Sequence, residues 1–156
     1  MNLRYQIPDQ LYYIQNFLDQ STYERIHNNV IKERKKINVH SVKGVWENSL
    51  INNIVSPEKA EVSDYPPFEK LKMLTKHNQF YQWHCDYTWK YGATYYLNNR
   101  WGQDWGGEFM FSDKNGHGFI PVVGNSLVII KAPFQHKVNP VLNSLMPRIS
   151  VQMFMK

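Results

Sequence analysis

The chain has 156 residues, 42% hydrophobic, 20% charged and 15% aromatic, with a formal net charge of +5. Five Trp, ten Tyr and eight Phe exclude a disordered polar chain, and a single cysteine, Cys85, excludes an intrachain disulfide scaffold. No apolar run exceeds four residues and the opening MNLRYQIPDQ lacks a basic segment followed by an apolar one, so a soluble, cytoplasmic protein of one domain, with no membrane association, is expected.

Leu11–Phe17 reads as an extended segment. Ser21-Thr22-Tyr23-Glu24 has capping-box spacing, and Tyr23, Ile26, Val30 and Ile31 follow at helical intervals. The basic run Lys32–Lys36 sits at the negative end of that helix, predicted to finish near residue 35. It accounts for much of the excess charge; elsewhere both signs are scattered, which argues against a nucleic-acid partner.

From Asn38 onward the pattern is β. Val39–Trp46 is a candidate strand, and the polar stretch Gly44–Pro67 reads as a lid, since long loops without structure of their own are often functional. Strands are predicted at Phe68–Thr75, Phe80–Tyr87 and Ala93–Leu97, then a loop, Asn98–Gly107, carrying two Trp. Glu108–Ser112 and Phe119–Val123 flank the turn sequence Asp113–Gly118, and Leu127–Ile130, Gln135–Val138 and Arg148–Phe154 complete the series. One helix followed by about eight short strands, without repeat or linker, predicts an all-β barrel or sandwich.

Chemistry concentrates in the second half. His84 and Asp86 are two apart on a predicted strand, so both side chains fall on one face. His136 follows the apolar strand Leu127–Ile130; two imidazoles and one carboxylate make the facial triad that holds iron(II) and leaves positions open. Arg148, in Pro147–Ser150, offers a planar fork suited to a carboxylate, with Ser150 on the same strand face. Thr94, Tyr96 and Asn98 share one face of their strand and can supply polar groups nearby. Cys85 should point away from His84 and Asp86, as a small buried residue. His27, His40, His77 and His117 are read as solvated or locally bonded. Trp46, Trp89, Trp101 and Trp105 are core or loop anchors by default, yet their loop positions make them candidates for a substrate groove.

His84-x-Asp86, Tyr95-Tyr96-Leu97-Asn98, Gly106-Gly107-Glu108-Phe109, and Phe134–Val141 followed by Arg148 resemble the iron(II)- and 2-oxoglutarate-dependent dioxygenases, most closely their prolyl 4-hydroxylase-like subgroup. The resemblance covers residues 66–156, with Asn16-Phe17-Leu18 and the helix also similar to that family's N-terminus. It implies a mainly β, double-stranded β-helix (jelly-roll, cupin-like) fold with one or more N-terminal helices packed on the major sheet. The whole chain, 1–156, is then one oxygenase domain, with 1–65 as support and 66–156 as core. The resemblance further implies iron held by His84, Asp86 and His136. 2-Oxoglutarate would be held by Arg148 with Tyr96, helped by Ser150, Thr94 and Asn98, and ascorbate would support turnover.

The implied reaction is hydroxylation of an unactivated C–H bond, foremost of a prolyl residue in a peptide or protein, with release of succinate and CO2. The alternatives are a free amino acid or other small molecule as substrate, or a non-catalytic cupin-like metal-binding module. Asp86 favours hydroxylation over halogenation, since halogenases resembling this fold lack that carboxylate. Nothing basic follows Arg148 before Lys156, unlike nucleic-acid demethylases of similar pattern. Many prolyl hydroxylases carry a tyrosine shortly before the metal-binding histidine, where this chain reads Leu74-Thr75-Lys76. A monomer or homodimer is expected, and the abundance of Asn, Lys and Ile suits an AT-rich source such as a virus.

Overall fold

A computed structural model describes residues 2–33, 67–75 and 77–155; the predicted strand Val39–Trp46, the lid Gly44–Pro67 except its last residue, His40 and Trp46 lie outside these residues. Two antiparallel sheets face one another. The larger is built from β1 (Asn2–Ile7), β2 (Leu11–Gln15), β3 (Pro67–Thr75), β5 (Tyr91–Tyr96), β8 (Ser126–Lys131) and β10 (Arg148–Met155), in the order β1-β2-β8-β5-β10-β3. The smaller holds β4 (Tyr81–His84), β6 (Phe109–Asp113), β7 (Gly116–Ile120) and β9 (Gln135–Val138), in the order β4-β9-β6-β7. This is the expected jelly-roll, and its crossovers carry sequence-distant strands into one sheet.

Alternation along the larger sheet separates two environments. Odd positions such as Tyr95, Leu97, Leu127, Ile129, Ile149, Val151 and Met153 form an apolar outer face. The helix α1 (Gln20–Glu33) closes over it with Tyr23 and Ile26, so that face is the main core. Even positions, including Thr94, Val128, Ile130, Arg148 and Gln152, point the other way, toward the smaller sheet, and line a cavity of 480 Å³ between the sheets. One sheet thus supplies both a hydrophobic core and one wall of a chamber.

Several elements differ from expectation. β1 lacks a clear alternating pattern and was not predicted; it forms because β2 presents a free edge, with pairs from Asn2↔Gln15 to Ile7↔Leu11. The helix begins one residue before Ser21, and its cap is Asp19: that carboxylate accepts from the Thr22 N–H at 2.9 Å and from the Ser21 hydroxyl at 2.6 Å. Glu24 does not close a capping box; it accepts from Gln20 Nε2 at 2.7 Å. The Asp113–Gly118 turn is tighter than expected, since Asp113 pairs with Gly116 and its side chain accepts the Asn115 N–H at 2.8 Å, leaving two residues at the tip. β4 stops at His84, short of the predicted Tyr87, and Cys85 beyond its end is half-buried.

Candidate active site

β4 and β9 pair in the smaller sheet with His84 opposite His136, which places the two rings 4.2 Å apart between centroids. Asp86 lies just past the end of β4, its Oδ2 3.7 Å from His136 Nε2. A side chain at Gly92 would put its Cβ 3.3 Å from that same Oδ2, so the absence of one leaves the carboxylate its place against β5. One ligand atom from each of His84, Asp86 and His136 lies within 4.8 Å of the others, and the three are placed to hold a metal ion. His27, His77 and His117 join no such group among the described residues. His27 is tied through Nδ1 to Leu97 O at 2.6 Å.

The tautomers are set locally. His84 Nδ1 lies 2.7 Å from Gln82 O, and His136 Nδ1 lies 2.9 Å from Phe134 O. A carbonyl can only accept, so each Nδ1 carries a proton, and Nε2 is the nitrogen through which either ring, when neutral, would bind a metal. Burial, the largest cause, holds the His136 imidazole below its ordinary pKa, and neighbouring His84 pushes the same way against the Phe134 carbonyl and Asp86. His136 is therefore neutral at physiological pH, as a metal ligand must be. Phe109 stacks on its ring at 5.2 Å between centroids, fixing its plane.

Arg148, from the larger sheet, lines the same cavity, and its side chain is fully buried. Nη1 donates to Ser150 Oγ at 3.1 Å and Nη2 to the Tyr96 hydroxyl at 3.3 Å; the guanidinium lies 4.9 Å from the centre of the Tyr96 ring. Nε is buried with no partner, and no carboxylate pairs with the guanidinium among the described residues. A buried cation without a counter-charge is costly, and it is the arrangement expected where an anion is to be bound. The second glycine of Gly106-Gly107 makes room for it: Gly107 has φ 76°, and a Cβ there would stand 3.1 Å from Arg148 Cδ.

The structure sorts the other predicted residues. Thr94 lines the cavity. Tyr96 and Ser150 are fully buried behind Arg148 and hold it, instead of facing the open space. Asn98 lies beyond β5 and does not line the cavity. Its Nδ2 donates to Pro147 O at 3.0 Å and its Oδ1 accepts from Ile149 N at 2.7 Å, so it ties the start of β10 in place. Trp101 and Trp105 pack edge to face at 5.4 Å, with Trp101 Nε1 donating to Gly106 O, away from the cavity; Trp89 packs against Phe154. Among the described residues the tryptophan that lines the cavity is Trp83. It sits at the rim, with Lys137 Nζ 5.3 Å from its ring centre. Tyr81 and Gln152 also face the cavity. The signal for Gln152 was its place two residues past Ser150 on one strand face.

The sequence profile of the 2OG-Fe(II) oxygenase superfamily matches residues 70–156, more than half of the chain. The chain belongs to that superfamily, whose enzymes use iron(II) and 2-oxoglutarate, and the donor set described above fits both. Within it the fold is similar to that of prolyl 4-hydroxylases. A prolyl 4-hydroxylase from Pseudomonas putida superimposes with a TM-score of 0.80 at 15% identity, over 96% of this chain and 93% of that one. A Trichoplax adhaerens prolyl hydroxylase, solved with a hypoxia-inducible-factor peptide fragment, gives 0.69 at 18% identity over 95% and 84%. The α-ketoglutarate-dependent epimerase SnoN of nogalamycin biosynthesis gives 0.72 at 10% identity over 95% and 78%. No curated protein matches the chain. Among the described residues no helix is long and apolar enough to cross a membrane.

Proposed function

We propose that the protein hydroxylates a prolyl residue of a peptide or protein at the site formed by His84, Asp86, His136 and Arg148. The observation that carries the site is the pairing, in a single cavity, of a three-donor cluster with a buried cation that has no carboxylate partner among the described residues. Iron(II) and 2-oxoglutarate supply the oxidising chemistry when bound: O2 is consumed, the cosubstrate is converted to succinate and CO2, and one oxygen atom enters the substrate C–H bond.

The chain supplies placement. His84 and His136 present Nε2, and Asp86 presents a carboxylate oxygen, from one side, leaving the remaining directions free for exchangeable ligands. Arg148, steadied by Ser150 and Tyr96, grips the distal carboxylate of the cosubstrate. Val128, Ile130, Phe109 and Val138 line the same chamber and exclude water from the reacting atoms. Ascorbate would support turnover.

The prolyl assignment is supported by the overlap with prolyl hydroxylases along nearly the whole chain, and by the exposed ring of Trp83 on the cavity lining, which suits a chain passing the cavity mouth. Its test is incubation with proline-rich peptides and, in parallel, free amino acids, in the presence of iron, ascorbate and 2-oxoglutarate. Peptides should gain the mass of one oxygen atom at proline; turnover of free amino acids alone overturns the prolyl reading. Unchanged succinate formation after His84→Ala or His136→Ala overturns the site itself.

A further inference from the structure

Gln152 lies on β10, directly opposite Thr94 of β5 in the register of the two strands. Both side chains line the cavity, together with Arg148. The Thr94 hydroxyl donates to Gln152 Oε1 at 2.6 Å, and Gln152 Nε2 donates to Ser150 Oγ at 3.3 Å. Ser150 Oγ is also the acceptor of Arg148 Nη1, so the amide head and the guanidinium head meet at one hydroxyl.

The hydrogen-bond inventory leaves something over. Gln152 Nε2 has two protons and spends one on Ser150. Oε1 is occupied by Thr94, which turns the amide so that its nitrogen, not its oxygen, is toward Arg148. The guanidinium has an unspent Nε–H of its own. A charged guanidinium and a neutral amide, each with a proton unspent, thus meet at one hydroxyl and line a chamber where no carboxylate pairs with the guanidinium among the described residues.

We propose that Gln152 is a further cosubstrate-binding residue, a neutral amide that shares with Arg148 the carboxylate of the dicarboxylate ligand, its orientation set by Thr94. This rests on the reading of the cavity as the 2-oxoglutarate site. Neutrality is the essential property. A carboxylate at this position would itself pair with the guanidinium and occupy the place of the ligand, whereas an amide lengthens the donor array and leaves the cation's charge available.

The test is calorimetric titration of the manganese(II)-loaded protein with 2-oxoglutarate, together with manganese affinity and the thermal midpoint of the metal-free protein. Gln152→Leu should weaken 2-oxoglutarate about tenfold to a hundredfold, the cost of removing a hydrogen bond to a charged group. Thr94→Val, which frees the amide without removing it, should weaken binding several-fold less than Gln152→Leu does. Gln152→Glu should weaken 2-oxoglutarate more than a hundredfold while raising the midpoint of the metal-free protein, because the buried cation gains a partner. Manganese affinity should be unchanged in all three.

Wild-type affinity in Gln152→Leu, or a parallel loss of manganese binding, overturns the proposal, as does a Gln152→Glu protein that melts lower and binds 2-oxoglutarate normally. Failure of the wild-type protein to bind 2-oxoglutarate at all would instead overturn the reading of the cavity, which separates the two claims.

Discussion

The two ends of the cavity are built on opposite principles. At the metal end His84 is exposed, Asp86 half-buried and only His136 buried, and all three come from the smaller sheet or the segment just beyond β4. At the other end Arg148, Ser150 and Tyr96 are all fully buried within the larger sheet, backed by the helix-covered core. On the proposed function, the metal end keeps open directions because ligands must arrive and leave there. Burial of the arginine strengthens a charge–charge contact by removing competing water. The contrast is then a division of labour between sheets: rigidity and charge selection from the larger, exchangeable coordination from the smaller.

The sharpest way to break this comparison is to remove one end and read the other. His136→Ala should abolish manganese(II) binding, by more than about a hundredfold, since even losing the partner of a ligand costs 10–100-fold. Electron paramagnetic resonance measures it, and the fold, set by the opposite sheet, should persist by circular dichroism. Arg148→Met should leave metal affinity intact while weakening 2-oxoglutarate by roughly a hundredfold or more. The metal-free protein should then melt no lower than wild type, because a buried cation with no carboxylate partner among the described residues is removed. A variant that loses both ligands together would show that the ends are not separable.

Leu127→Ala tests the covered face of the same sheet. It should cost about 2–5 kcal/mol in denaturant unfolding and leave the affinity of the surviving folded protein for 2-oxoglutarate unchanged. Asp19→Ala, which removes the helix cap, should cost about 1 kcal/mol and nothing at the site.

The core also sets an alkaline limit. Burial, with Glu24 adding to it, raises the Tyr23 phenol to about 12, and burial raises Tyr95 further still. A phenol whose pKa is higher folded than unfolded favours the native state fully below pH 10, and that contribution fades as the pH rises through about 12. Unfolding midpoints should therefore fall across this range, and Tyr23→Phe should flatten the fall. A Tyr23→Phe protein with the same alkaline profile would place the limit elsewhere.

How legible the site was depended on how local its logic is. His84 and Asp86 announce themselves because a two-residue spacing is fixed by strand geometry alone. Arg148 and Ser150 were legible for the same reason, as was the hairpin at Asp113–Gly116, whose Asx and Gly chemistry acts within four residues. Thr94 and Tyr96 share a face as alternation requires, but which of them meets the cavity depends on how deep Arg148 sits, a distance no strand contains. Asn98 was assigned to the site by extending that alternation past the end of β5, where the chain turns and the amide is taken by Pro147 and Ile149. The loop tryptophans misled because bulk and exposure are local properties, whereas proximity to the chamber is not; Trp83 lines it through the pairing of β4 with β9.

The sequence by itself determined the β architecture, the helix α1, the candidate metal donors and the arginine beside them, because alternation, capping and ligand chemistry act over a few residues. Only the tertiary structure decided that His84 faces His136 and that β10 lies between β5 and β3. It also decided that Gln152 and Thr94 meet beside Arg148. Those contacts join residues dozens of positions apart, and their geometry follows from sheet register and from the burial of one face under the helix, neither of which is written in any short stretch of chain.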